Sequence, residues 1–347
     1  MPVRMRMPAL PRLPFSCLVL LSLWLAASNS RADELLVGNK SGDSVWRLSP
    51  NDGHKTGEFR TGEAPHEIAV AANGRFAVVS NYGRETSGNT LSVLDLVGGK
   101  PTGSIDLGEH GAPHGLRLLP GDRRVLVTTE GSASLLMVNV ASGKVERVID
   151  IGGGTGHMVA LSPDSKFAYV TKINAGTISR IDLASGLKTH ERPAGKGAEG
   201  VAVSPDGREL WVANREDGTI TVHDPDMLAL RRRMSSKGFP IRVAFTRDGR
   251  HALVINARAA NVEVFDVRTK LRVATIGLVE PAAQYNQTML GRAALPIGVV
   301  VDPIRPRAYV AISGGDRVAV IDTRSWKVVD RWPAGREPDA LGFVPGD

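Results

Sequence analysis

Three histidines stand at one position of a recurring segment. They are the fourth residue of EAPHEIAVAANGR (63–75), of GAPHGLRLLPGDR (111–123) and of GTGHMVALSPDSK (154–166). Imidazole binds transition metals when neutral and carries a proton near neutral pH. Four further segments of the same pattern begin at residues 196, 238, 294 and 336, and their fourth residues are Glu199, Ile241, Ile297 and Asp339. His66, His114, His157, Glu199 and Asp339 are thus metal- or proton-competent side chains at one register. Imidazole and carboxylate together suit a divalent zinc, copper, iron or manganese ion, and an incomplete ligand set leaves a position for water or substrate. His66, His114, His157 and Glu199 are the expected ligands of one such ion, with Asp339 as a supporting ligand-binding group. A water-filled channel mouth that solvates polar side chains is the competing account.

Chemistry at one register needs an architecture that brings the segments together. Successive segments are 48, 43, 42, 42, 56 and 42 residues apart, a period that belongs to propellers and solenoids. Within 199–237, the runs EGVAVS, ELWVAN, TITVHD and ALRRRM are separated by the turns PDGR, REDG and PDML. Alternating runs with such turns read as four short antiparallel strands. No ten-residue stretch of helical period lies between them, which disfavours helical repeats. Four-stranded antiparallel units repeated about a centre make a β-propeller. From residue 33 the chain opens with ELLVGN, SVWRLS and KTGEFRTG, three strands lacking a first one, and it closes with PDALGFV, a first strand lacking three. Pairing the two ends gives seven blades and covers an otherwise exposed sheet edge. The expected fold is all-β: one domain, 33–347, a seven-bladed β-propeller of four-stranded antiparallel blades.

The unit VAVSPDGRELWVANREDGTITVHD (201–224) resembles the YVTN-type repeat of YncE-like seven-bladed propellers, and the resemblance covers essentially all of 34–347. It implies that the first strand of each blade lines the central channel, and that the protein is secreted or periplasmic. Relatives and look-alikes of that family include DNA-binding, surface-layer and quinoprotein-associated proteins, lactonases, lyases and propellers that hold haem d1, so the resemblance leaves the activity open.

With the first strands around the channel, the seven fourth positions form a ring at one mouth. In a meander the loops between second and third strands share that face. NYGRETSGN (81–89) is the longest of them, and VEPAAQYNQTMLGRA (279–293) lies before the sixth first strand after the leader, where the step is 14 residues longer than the usual 42. Both are expected to rise on the mouth, where Tyr82, Arg84, Tyr285 and Asn286 would touch a ligand. Glu67 and Arg242 follow the ring position directly and are expected at the channel or the blade interface, as ligand contacts or as an ion pair. His54, His110, His190, His223 and His251 lack the register.

Ahead of the repeats, Arg4, Arg6 and Arg12 precede the apolar stretch FSCLVLLSLWLAA (15–27), which leads into SNSRA. This pattern is that of a secretory signal peptide, 1–32, with a cut near Ala32 and a periplasmic or secreted destination. The leader carries four arginines and no acid, so 39 basic and 36 acidic residues remain after it. So small a net charge gives no general footprint for nucleic acid or an anionic membrane. The single cysteine, Cys17, lies in the leader. Disulfides, thiolate metal sites, cysteine nucleophiles and covalent c-type haem are therefore excluded from the mature chain. No later apolar stretch is long enough to span a membrane as a helix.

Other motifs carry less. GGGTGH (152–157) precedes a strand rather than a helix, so it lacks the geometry of a dinucleotide site. LRRRMSSK (230–237) falls on an outermost strand, where charge blocks edge pairing. Single-strand nucleic-acid binding needs a basic groove interleaved with aromatics, and aromatics make up 5% of the chain.

The expected function is that of a monomeric periplasmic or secreted propeller that binds a small molecule or a periplasmic protein at the channel mouth, through a histidine-rich site able to take a metal. A metal-dependent lyase, lactonase or oxidoreductase is the enzymatic alternative, with Glu199 or Asp339 as base or fourth ligand. A scaffold for a haem d1 or quinone-linked redox system, with histidine as axial ligand, is the third.

Overall fold

The structure is a computed structural model that describes residues 31–346 together with Met1 and Val3. The expected signal peptide and its Cys17 lie outside the described residues, apart from those at its two ends. The unit Ala32–Asp347 contains seven four-stranded antiparallel sheets and one two-stranded hairpin, with no α-helix among the described residues.

Blades 2 to 6 run in sequence. Their innermost strands are Pro65–Val70, Pro113–Leu118, Gly156–Leu161, Ala198–Val203 and Pro240–Phe245, each followed by three strands towards the rim. Blade 7 begins with Pro296–Val301. Blade 1 takes its inner strand, Pro338–Val344, from the C-terminus and its other three, Glu34–Asn39, Ser44–Leu48 and Lys55–Arg60, from the N-terminus. In that clasp Glu34 pairs with Val344 and Val37 with Leu341, so the terminal pairing read from the sequence is the one that closes the ring. Asp33 fastens it further by accepting the Gly346 amide at 2.7 Å and pairing with Arg305 at 2.8 Å.

Burial follows radius. In blade 5 the second strand, Leu210–Asn214, is wholly buried, whereas the outermost, Leu230–Ser235, buries only Met234. The apolar residues meet between blades: Leu91 and Val78 of blade 2 pack with Leu116, Val127 and Leu136 of blade 3. The arginines of LRRRMSSK therefore lie on a solvated edge strand, where they discourage pairing with another sheet.

One local device recurs at every inner strand. The residue two places before the ring position is left-handed in all seven blades: Ala64, Ala112, Thr155, Gly197, Phe239, Leu295 and Glu337, with φ between 50° and 69°. A non-glycine residue there costs about 1–2 kcal/mol, and six of the seven positions accept it. Immediately afterwards each inner strand has a bulge against its neighbour, as where Pro65 pairs with Asn81 but Ile68 with Val79. A bulge turns a side chain out of the regular alternation. Here it turns the ring residue towards the axis.

Candidate functional site

The ring residues meet at a cavity of about 230 Å³ lined by His66, His114, His157, Glu199, Asp339, Ile241 and Ile297. His114 is fully buried between the other two histidines, its ring centroid 4.0 Å from that of His66 and 3.6 Å from that of His157. Neither nitrogen of His114 has a hydrogen-bonding partner among the described residues. A buried imidazole left without any partner is rare and calls for a physical reason. Donor atoms of His114, His157 and Glu130 lie within 4.8 Å of one another, as do those of His66, Glu67 and His114. Two imidazoles and a carboxylate form a ligand set for zinc or non-haem iron.

Why the histidines adjoin so closely is a matter of second-strand hydroxyls. Ser80 accepts the Glu67 amide and donates to the His114 carbonyl, both at 3.0 Å. Thr128 accepts the Gly115 amide at 2.9 Å and donates to the His157 carbonyl. Thr171 accepts the Met158 amide at 3.3 Å and donates to the Glu199 carbonyl. Each hydroxyl satisfies the amide freed by its own bulge and holds the ring residue of the next blade. In the other four blades the equivalent residues are Gly38, Ala213, Ile255 and Ala311, so the clamps occur only in the three histidine blades. Gly115 completes the fit, because a Cβ there would lie 2.8 Å from the His157 carbonyl oxygen.

The three imidazoles are shifted in different directions. His66 and His114 are held well below the ordinary histidine value, chiefly by burial and then by neighbouring positive charge, Lys40 and Arg242 beside His66 and His157 beside His114. Burial also pushes His157 down, but hydrogen bonds to Glu130 at 2.6 Å and contact with Glu199 at 3.4 Å outweigh it and raise the group. Glu199, although buried, is lowered by His157, Arg242 and Arg215, the last at 2.8 Å. Burial lifts Asp339 to about 6. Its Oδ2 stands 3.4 Å from His66 and 3.6 Å from Lys40, and its Oδ1 has no partner among the described residues.

Of the residues singled out in the sequence, the cavity gathers His66, His114, His157, Glu199, Asp339, Tyr82 and Arg242. Tyr82 donates to Glu130 at 2.7 Å and meets His66 edge to face. Arg242 reaches Glu67 at 2.5 Å, forming the ion pair considered above. Arg84, Tyr285 and Asn286 do not line the cavity. Arg84 is taken up by Asp43 and Glu63, the Tyr285 hydroxyl by the Glu280 amide, and Asn286 by Asp316. The segment NYGRETSGN is mostly strand, since Phe76–Gly83 and Ser87–Asp95 continue into it. The insertion folds back as the hairpin Gln287–Thr288 and Gly291–Arg292, and Thr288, Met289 and Leu290 reach the mouth instead. Lys40, Glu130 and Arg215 were not foreseen. All three directly follow a second strand, as Tyr82 follows Asn81 in its blade, so the repeat register held the signal.

The sequence matches the model of one protein family, the seven-bladed β-propeller lactonases, over residues 61–275. An uncharacterized protein, YncE, of Salmonella typhi is 25% identical over 163 residues, which are 45% of this chain and 41% of the relative. The chain thus spans about two fifths of that relative's length. Among solved structures, a functionally unknown protein from Desulfotomaculum acetoxidans superposes with a TM-score of 0.75 at 16% identity, covering 90% of this chain and 99% of that one. The periplasmic gluconolactonase PpgL of Pseudomonas aeruginosa superposes with a TM-score of 0.69 at 18% identity, with coverages of 90% and 99%. At these identities the structural likeness shows the fold alone.

Proposed function

The chain belongs to the lactonase family of seven-bladed β-propellers, and we propose that it is a periplasmic propeller that binds a divalent transition-metal ion and, beside it, a small polar ligand at the channel mouth. The observation that carries this reading is His114, buried between His66 and His157 with both ring nitrogens unpartnered. His114, His157 and Glu130 would hold the ion, and His66 stands next to them as a further ligand. Lys40 and Arg215 supply hydrogen-bond donors on the same cavity wall. The volume of about 230 Å³ falls below that of pockets for drug-sized ligands, about 300–1,000 Å³, which favours a small ligand over a tetrapyrrole. The periplasmic assignment rests on the leader pattern.

The test is elemental analysis of the mature protein, purified without chelator or affinity-tag metal, beside His114→Ala. Stoichiometric metal that disappears in the variant is the expected result. A metal-free wild type that takes up none of zinc, copper, iron or manganese in titration overturns the reading.

Hydrolysis of a small lactone is a second reading, favoured by the family and by the unpartnered, buried Oδ1 of Asp339 on the same cavity. A bound ion would supply carbonyl polarisation and a more acidic water. Asp339 would accept a proton from the attacking water as the water oxygen bonds to the ester carbonyl carbon and the ring C–O bond breaks. The Lys40 ammonium stands 3.6 Å from Asp339, where it can donate to the alkoxide that leaves. Turnover of glucono-δ-lactone by the metal-loaded wild type, reduced at least a hundredfold in Asp339→Asn with metal content unchanged, is expected on this reading; equal turnover in both overturns it.

A further inference from the structure

Below the mouth the channel contains a second cavity, of about 270 Å³, lined by Glu67, Arg117 and Arg242 among apolar side chains that include Met158, Val201, Val299 and Phe343. It runs towards the C-terminal ends of the inner strands, the end opposite the histidines. Arg242 lines both cavities, and its pair with Glu67 separates them.

The two arginines stand in different electrostatic positions. Arg242 meets Glu67 at 2.5 Å and Glu199 at 3.6 Å. For Arg117 no carboxylate lies within ion-pair distance among the described residues, and its one hydrogen bond runs from Nη1 to the Leu116 carbonyl at 2.7 Å. Its remaining donors belong to a guanidinium that is always charged and that matches a carboxylate in two parallel hydrogen bonds. Burial opposes that positive charge most, the Glu67 carboxylate supports it through space without pairing with it, and the charge of Arg242 opposes it. The nearest acid, Glu67, is already committed across the channel. Two guanidiniums and one carboxylate thus share a cavity whose other walls are aliphatic and aromatic.

We propose that the lower cavity binds a monoanion with a short aliphatic tail, its carboxylate held by Arg117 and its tail against Met158, Val201, Val299 and Phe343. Mostly apolar walls with a few well-placed charged groups define orientation and selectivity together. The anion supplies the directly paired carboxylate that Arg117 lacks, and the tail removes apolar channel surface from water. The site is distinct from His66, His114, His157 and Glu130 at the mouth, because the Glu67–Arg242 pair stands between them.

Isothermal titration with hexanoate tests this, using the wild type, Arg117→Met and His114→Ala, and 1-hexanol as the uncharged probe. The expected result is saturable binding of hexanoate to the wild type, weaker by tenfold or more in Arg117→Met, unchanged in His114→Ala, and weaker by tenfold or more for 1-hexanol. If Arg117→Met does not fold by circular dichroism, Arg117→Gln takes its place with the same expected loss. Absence of hexanoate binding to the wild type overturns the proposal. So does equal affinity in the arginine variant, equal affinity for 1-hexanol, or loss of binding in His114→Ala, which would move the ligand to the mouth.

Discussion

Arg242 of blade 6 reaches across the channel to Glu67 of blade 2, Nη2 to Oε1 at 2.5 Å, with both side chains largely withdrawn from solvent. The contact joins residues 175 positions apart and forms a floor beneath the histidines. Removing one member of a buried pair strands the other's charge, at a cost of about 3–5 kcal/mol. Glu199 remains 3.6 Å from Arg242, so Glu67→Gln is expected near the lower end of that range. The double variant Glu67→Gln with Arg242→Met is expected to be more stable than the sum of the two single losses. Urea denaturation of all four proteins reads the coupling; strict additivity would show that the floor contributes no pairwise energy.

Thr128 is a positioning residue for His157. Thr128→Val keeps the shape but leaves the Gly115 amide and the His157 carbonyl unmet, each costing about 1–3 kcal/mol when buried. Supporting contacts around metal ligands are typically worth about 10–100-fold in affinity. The expected phenotype is therefore weaker zinc uptake as well as lower stability, with Thr128→Ser restoring both. Weakened uptake that serine fails to restore would argue against the hydroxyl as the cause.

Acid sensitivity has an identifiable contributor at the rim of blade 4. Lys172, 2% exposed, pairs with Glu191 at 2.5 Å. Partial burial raises Glu191, but hydrogen bonds from Lys172, Lys188 and Thr177 bring it down to about 2. A carboxyl whose folded value lies below its unfolded value contributes stability that is complete above the unfolded value, and that is lost as pH falls towards the folded one. The loss therefore runs from roughly pH 4.5 down to 2 and reaches about 3 kcal/mol at most. Thermal denaturation across that window should show a shallower acid decline in Glu191→Gln, from a lower starting stability. Parallel profiles for the two proteins would remove this pair as the cause.

Metal occupancy should register as thermal stability. A ligand present at 100 times its Kd stabilises by about 2.7 kcal/mol, which for a chain this long corresponds to roughly 5 °C in Tm. Chelation is expected to lower the Tm of the wild type by that order and to leave His114→Ala unmoved. An equal shift in both would place the metal elsewhere.

Much of the architecture was legible because it is written in local periodicity. Strand alternation, PDG-type turns and a step near 42 residues specify the blade, and the orphan strands at the two ends specify the closure. The ring register was legible for the same reason. Lys40, Glu130 and Arg215 escaped notice because their relevance depends on how far a side chain extends from the mouth face towards the axis. Ser80, Thr128 and Thr171 read as ordinary strand formers within VVSN, LVTT and YVTK. Their role appears only where one blade's bulge meets the next blade's carbonyl. Arg84, Tyr285 and Asn286 were drawn to the mouth by loop length, yet nearby acids and amides hold them aside.

By itself the sequence determined a seven-bladed ring and which seven residues stand at the same height around its axis, because period-two alternation and turn chemistry act between neighbours along the chain. Tertiary structure decided which of those residues converge, and with what charge. The 3.6 Å approach of His114 to His157, the contrast between lowered His66 and raised His157, and the paired Arg242 beside the unpaired Arg117 all depend on groups from different blades. Desolvation and Coulomb interactions are set by distance in space, and distance along the chain does not encode it.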